Sequence, residues 1–93
     1  MGKINIIRKA AVFGFAIPFT AIVDGNEVGK LKNGTTITVE IPNGEHTVSI
    51  KSLEETIDQK IELTDKHQEV DIKVAVAMGL IAARAAFKGI EYK

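Results

Sequence analysis

His46 and His67 are the two histidines of this chain, and twenty residues separate them. Any pairing of the two has to be made by the fold. Glu45 beside His46 offers a carboxylate and an imidazole, but neighbours on an extended strand project to opposite faces and do not grip one ion together. Zinc takes three or four convergent ligands, so the sequence predicts no metal site. His46 follows the turn dipeptide Asn43-Gly44, read as a type I′ turn, and its ring is expected to satisfy turn backbone. Glu54, Glu55 and Asp58 form an acidic group in a link between strands. They lack the alternating oxygen ligands and central glycine of a calcium loop, and a chain this small scarcely builds the cleft that paired catalytic carboxylates need. A solvated loop is the expectation.

Nucleophiles are equally scarce, because the chain has no cysteine and its serines are Ser49 and Ser52. Ser49 alternates to the exposed face beside Lys51, with no histidine near it in sequence. Neither a Gly-x-Ser-x-Gly elbow nor a phosphate-cradling loop occurs. The sequence therefore predicts a protein that is not an enzyme and needs no cofactor. Twelve basic residues balance twelve acidic ones, which argues against nucleic acid as a partner, since phosphate binding draws on excess positive charge. With no tryptophan and Tyr92 as the single tyrosine, no aromatic platform for a small-molecule ligand is evident. Phe13, Phe15 and Phe19 are expected in the core, with Phe13 and Phe15 on one strand face.

Ninety-three residues fit one domain spanning 1–93, because a shorter piece would bury too little apolar surface to fold alone. The lack of cysteine favours the cytoplasm, small secreted domains being commonly stapled by disulfides. Lys3, Arg8 and Lys9 followed by the apolar run from Ala10 to Ile17 imitate the start of a signal peptide. The run is read as structural, since no small-x-small cleavage site follows and Pro18 interrupts it.

Turn chemistry organises the middle of the chain. Asp24-Gly25, Asn33-Gly34 and Asn43-Gly44 recur at nearly even spacing and supply the positive φ of tight turns. Between and beside them lie Phe19 to Val23, Glu27 to Leu31, Thr35 to Ile41 and His46 to Ser52, a pattern that predicts a β meander. Ile37, Val39 and Ile41 alternate with Thr36, Thr38 and Glu40, and Val48 and Ile50 with Thr47, Ser49 and Lys51. Ile57, Ile61 and Leu63 nearly repeat the pattern. After Thr64-Asp65-Lys66, Val70, Ile72, Val74, Val76 and Met78 form a long strand that Gly79 closes.

The segment from Ile22 to Leu31, with its Val23-Asp24-Gly25 and Val28-Gly29, followed by Asn43-Gly44-Glu45-His46-Thr47-Val48, resembles the PEGA-like repeat domains. The resemblance covers residues 19–52; no Thr-Pro follows Val28-Gly29 and no Gly-Tyr follows the His46 strand. It implies a small β sandwich without catalytic activity, used for display or contact and often attached to larger surface proteins.

The tail is the most suggestive stretch. Val74 to Phe87 carries one charge and seven small residues, namely Ala75, Ala77, Gly79, Ala82, Ala83, Ala85 and Ala86. Leu80 to Lys88 lacks period-two alternation and is rich in helix formers, so a short helix is expected there, capped by Gly89 and followed by a last short strand from Ile90 to Tyr92. Arg84 and Lys88 would stack on it, with Leu80 and Phe87 on one side.

The sequence thus predicts an all-β protein, an antiparallel β-sandwich of about seven short strands with a short C-terminal helix. Its expected role is a non-catalytic interaction or structural module for protein–protein contact or self-association. A sheet edge or the segment carrying Met78, Leu80, Ile81, Arg84, Phe87 and Lys88 would form the contact surface. The alternative is a peripheral membrane-associated domain that sets Arg84 and Lys88 against lipid headgroups.

Overall fold

In the computed structural model the chain is all-β, with eight strands in two four-stranded sheets among the described residues. The structure describes residues 1–11, 17–53, 55–78 and 83–93. The expected positions of Phe13 and Phe15, of Glu54, of the Gly79 strand end, and of Leu80 and Ile81 lie outside them.

The strands are β1 (Gly2–Arg8), β2 (Phe19–Val23), β3 (Asn26–Leu31), β4 (Thr36–Ile41), β5 (Gly44–Lys51), β6 (Thr56–Leu63), β7 (Glu69–Met78) and β8 (Ala83–Tyr92). One sheet has the order β4-β1-β7-β8 and the other β3-β2-β5-β6. Alternation decides which side of each strand is buried. Ile4 and Ile6 of β1, Val70, Ile72 and Val74 of β7, and Ala85 of β8 join Phe19, Ala21, Val23, Leu31, Val48, Ile50, Ile61 and Leu63 of the other sheet in one hydrophobic cluster. Burial of these side chains, each worth about 1.5–3 kcal/mol for the larger ones, is what holds two sheets together.

Four sequence-based expectations are corrected. The described residues hold eight strands where about seven are expected, and the unforeseen one is β1, in which Ile4 and Ile6 alternate with Lys3, Asn5 and Ile7. The arrangement is not wholly antiparallel, since β1 runs parallel to β7 with Ile4 beside Val70 and Ile6 beside Ile72. The middle is not a meander. Asp24-Gly25 does close a hairpin between β2 and β3, with φ of 51° and 83° at its two residues, as a type I′ turn requires. Asn33-Gly34 and Asn43-Gly44 instead carry the chain from one sheet to the other, because β3 and β5 belong to the sheet that β4 does not. Positive φ at the second dipeptide is confined to Gly44, so it is not type I′ either.

The fourth correction concerns the tail. Residues 83–92 form β8, paired antiparallel to β7, and Gly89 sits within this strand opposite Lys73; no helix occurs among the described residues. Alanine tolerates either geometry, and the open edge of β7 offers hydrogen bonds that an isolated helical turn cannot match. A register shift at Lys73/Val74 leaves Lys88 as an extra residue. Ala85 and Phe87 face inward before this bulge and Ile90 and Tyr92 share the inward face after it, opposite Ile72 and Val70. The change of phase hides the period of two.

Arg8 is the largest buried side chain that is not apolar, at 1% exposure. It leaves β1 on the inward face, and its Nη1 donates to the carbonyls of Ile17 and Leu31, each at 2.7 Å. Its guanidinium lies 4.1 Å from the centre of the Phe19 ring. Burial lowers its pKa from the ordinary arginine value, yet arginine stays charged at any pH a protein meets. The side chain therefore ties β1 to the two ends of the β2–β3 hairpin in the other sheet.

Candidate functional site

His46 leaves the start of β5 and meets two other elements. Its Nδ1 lies 2.6 Å from Oδ2 of Asp24, in the β2–β3 turn, and its Nε2 lies 2.7 Å from the carbonyl of Pro42, in the crossover from β4. The second Asp24 oxygen accepts the backbone N–H of Thr47 at 2.8 Å, and Asp24 N–H is donated to the Thr47 carbonyl at 2.9 Å. Asp24 can take up this place because the turn puts it in a left-handed conformation that aspartate tolerates better than most residues. The expectation that the His46 ring satisfies turn backbone matches the bond to Pro42, while the carboxylate partner was unforeseen.

The proton positions follow from the partners. A carbonyl and a carboxylate both accept, so both ring nitrogens must donate, and the ring that suits this site is the imidazolium. Burial disfavours that charged form, but the hydrogen bonds to Asp24 and Pro42, with the attraction of the Asp24 charge, outweigh it and raise the His46 pKa. Asp24 is held below its ordinary value by the Thr47 N–H and then by His46. A histidine whose two nitrogens are both engaged as donors has no lone pair to act as a base. The arrangement is an electrostatic clamp on one end of the sheet.

Its pH dependence has two limbs. Because the folded pKa of His46 is raised, its contribution is complete below the unfolded value and is lost as pH rises through the folded one. Because that of Asp24 is lowered, its contribution is complete above the unfolded value and is lost as pH falls through the folded one. The clamp is therefore strongest in mild acid. Thermal unfolding is expected to show a Tm lower at about pH 8.5 than at about pH 5.5 by about 4–8 °C, the equivalent of about 1 kcal/mol for one charge-assisted bond in a domain of this size. His46→Gln should flatten that difference; an unchanged difference would assign it to other groups.

Around the clamp lies an open groove of about 480 Å³ lined by Asp24, Glu45, His46, Thr47, Lys60, Ile61, Glu62 and Tyr92. Tyr92 reaches it from the other sheet, where its hydroxyl accepts the Glu62 N–H at 3.2 Å and its ring meets His67 edge-on at 6.0 Å. Tyr92 thus contacts His67 and shares the groove lining with His46. Among the described residues no three His, Asp, Glu or Cys side chains converge as metal ligands.

On the outer face of the β1 sheet a polar row crosses three strands, β4, β1 and β7, and ends on the residue that follows β8. Thr38 Oγ1 donates to Asn5 Oδ1 at 2.8 Å, and Asn5 Nδ2 donates to Asp71 Oδ1 at 2.8 Å and to Glu69 Oε2 at 2.6 Å. Lys93 Nζ completes the row on Asp71 Oδ2 at 2.9 Å. The hydrogen bond from Lys93 and then that from Asn5 keep the Asp71 carboxyl below its ordinary value. Every member has a partner, so the row is structural glue, and no sequence spacing revealed it.

The remaining sequence candidates scatter. Glu55 pairs with Arg84 at 3.3 Å, and Asp58 lies in β6, where it accepts Ser49 Oγ at 2.6 Å. Ser49 is thus tied to a carboxylate instead of a histidine. Of the tail residues, Met78 ends β7, Arg84 is exposed, Phe87 packs against the core, and Lys88 is exposed at the bulge. Lys88 rims a hollow with Ile7, Lys9, Lys73, Val74 and Ala75. No helix among the described residues is long and apolar enough to cross a membrane. No family model matches the chain, and neither a curated protein nor a solved structure matches it significantly.

What the tail does present is an edge. β8 is the terminal strand of its sheet and spans ten residues. Lys93 donates its backbone N–H to the Glu69 carbonyl, so by alternation Glu91 and Gly89 point at β7 while Ile90 and Tyr92 turn to the open side. Lys9 donates to the Val74 carbonyl. Val74 therefore faces β1, and its register partner Phe87 turns its backbone away from β7, while Ala85 is covered at 3% exposure.

Proposed function

We propose that the chain is a non-catalytic β-sandwich module for protein–protein contact or self-association, and that the edge of β8 is its contact element. The observation that carries this reading is the long terminal strand whose exposed end, at Ile90 and Tyr92, turns backbone groups away from β7. Unpaired strand edges accept another strand through main-chain hydrogen bonds. The clustering of both sheets' buried faces supports the sandwich, and the Asp24-Gly25 hairpin followed by the Gly44-His46 strand supports a PEGA-like module over residues 19–52. The partner is a protein or a second copy, with no nucleic acid, cofactor or small molecule required, and the compartment is the cytoplasm. Attachment to a membrane surface through Arg84 and Lys88 is the second reading; Phe87, one of its two expected apolar anchors, packs against the core.

Ile90→Pro tests the reading. Ile90 does not use its N–H within its own sheet, and proline is tolerated at such edge positions. Sedimentation equilibrium should show association of the native chain and a monomer for the variant, with far-ultraviolet circular dichroism unchanged. A native chain that is monomeric at every concentration, or a variant that associates equally well, would sink the edge as the contact.

A further inference from the structure

Lys9, Lys73 and Lys88 meet on the outer face of the β1 sheet, around an open hollow of about 540 Å³ that Ile7, Val74 and Ala75 complete. Strand pairing brings them there from three parts of the chain. Lys73 lies beside Ile7 across the parallel β1–β7 pair, and the bond from the Lys9 backbone N–H to the Val74 carbonyl carries that register on to Lys9 and Ala75. Lys88 is the extra residue of the β8 bulge, so it stands with Gly89 against Lys73. Bulges re-aim side chains in this way beside functional sites. Gly89 adds no side chain of its own, where even a Cβ would touch the Lys73 stem at 3.9 Å.

All three lysines are exposed, and among the described residues no ammonium of the three has a hydrogen-bond or ion-pair partner. Like charges gathered around one hollow repel, and an anion between them would relieve that repulsion. Asp71 feels the Lys73 charge but is already held by Asn5 and Lys93. Below the lysines, Ile7 and Ala75 are half-buried and give the hollow an apolar floor. A positive rim over such a floor fits an anion that carries a short apolar body. A phosphate monoester matches the rim better than a carboxylate does, because it brings about two negative charges and three acceptor oxygens. The rest of the face favours a small molecule. Glu40, Glu69, Asp71 and Glu91 occupy its other end with Lys3 and Lys93, so an anionic membrane laid flat across it would meet carboxylates as well as lysines.

From this arrangement we infer that the hollow binds a small organic phosphate, with its phosphate among the Lys9, Lys73 and Lys88 ammonium groups and its apolar part on Ile7 and Ala75. The site lies on the face of the sheet and not at its edge. It goes beyond the contact reading and stands or falls separately from it.

Phenyl phosphate is the probe, titrated at low salt into isotope-labelled protein and followed by the amide signals in nuclear magnetic resonance. The expected dissociation constant is on the order of 1 mM, with the shifts centred on residues 7–9, 73–75 and 88–89. Lys73→Gln should raise that constant at least about tenfold. Lys66→Gln, between β6 and β7, should leave it within about twofold, since a solvent-screened charge elsewhere contributes little. Inorganic phosphate and benzoate should each bind more weakly than phenyl phosphate, the first for want of an apolar body and the second for want of charge. The spectrum of each variant also reports whether it is folded. Ile90→Pro should bind the probe as the native chain does, whatever its state of association. No binding at millimolar probe, shifts spread over all the lysines, or equal losses from Lys73→Gln and Lys66→Gln would overturn the site. Vesicles carrying phosphatidic acid that retain the protein, while free phenyl phosphate gives no shifts, would assign the lysines to a membrane and overturn it too.

Discussion

Arg8→Ala is expected to lower the free energy of unfolding by about 3–5 kcal/mol, the range for removing one partner of a buried charge-assisted network and leaving a cavity. The guanidinium supplies hydrogen bonds to Ile17 and Leu31 carbonyls from a side chain at 1% exposure. Truncation removes these donors and the stack on Phe19 together. Arg8→Lys should recover only part of the loss, because an ammonium can donate to the carbonyls but lacks the planar surface that stacks on a ring, and it is more costly to strip of water. Urea denaturation measures both. Against a total stability of about 5–15 kcal/mol for a domain, the alanine variant would unfold at much lower urea; a cost below about 1 kcal/mol would show that the tie between sheets is dispensable.

Ending the chain at Gly79 should abolish folding altogether. The cut removes β8, and with it Ala85 and Phe87 from the core and the Lys93 ammonium from Asp71. Val74 and Val76 of β7 lose the strand beside them. At about 1.5–3 kcal/mol for each large apolar side chain uncovered, the sum approaches the whole stability of a small domain. Circular dichroism of the shortened chain should show no strand signal and no cooperative transition on heating. A cooperative transition would mean that six or seven strands close the core, and that β8 is an appendage. The contact surface must for this reason be probed by a single substitution such as Ile90→Pro instead of by deletion.

His46 shows how a sequence reading can be right about a residue and incomplete about its site. Its place after Asn43-Gly44 pointed to the turn backbone, and the Pro42 bond follows from that local geometry. Asp24 lies 22 residues away, so the bond that sets the charge of the ring belongs to the fold. The polar row from Thr38 through Asn5 and Asp71 to Lys93 is the same case in stronger form, since it depends on β1 lying between β4 and β7.

Local order was written in the residues themselves. Period-two alternation marks β4 to β7 and their inward faces, because a strand's side chains leave in alternate directions whatever its neighbours are, while turn spacing marks β2 and β3, and Asp24-Gly25 marks their hairpin because few other residues accept positive φ. Pairing was decided only in three dimensions. That β1 runs parallel to β7, that two Asn-Gly turns change sheets, and that Arg8 is sealed between them depend on hydrogen bonds and burial between segments far apart in the chain. The tail needed the fold most of all: alanine suits helix and strand nearly alike, and it was the free side of β7, with a bulge at Lys88, that made residues 83–92 a strand and gave the molecule its longest edge.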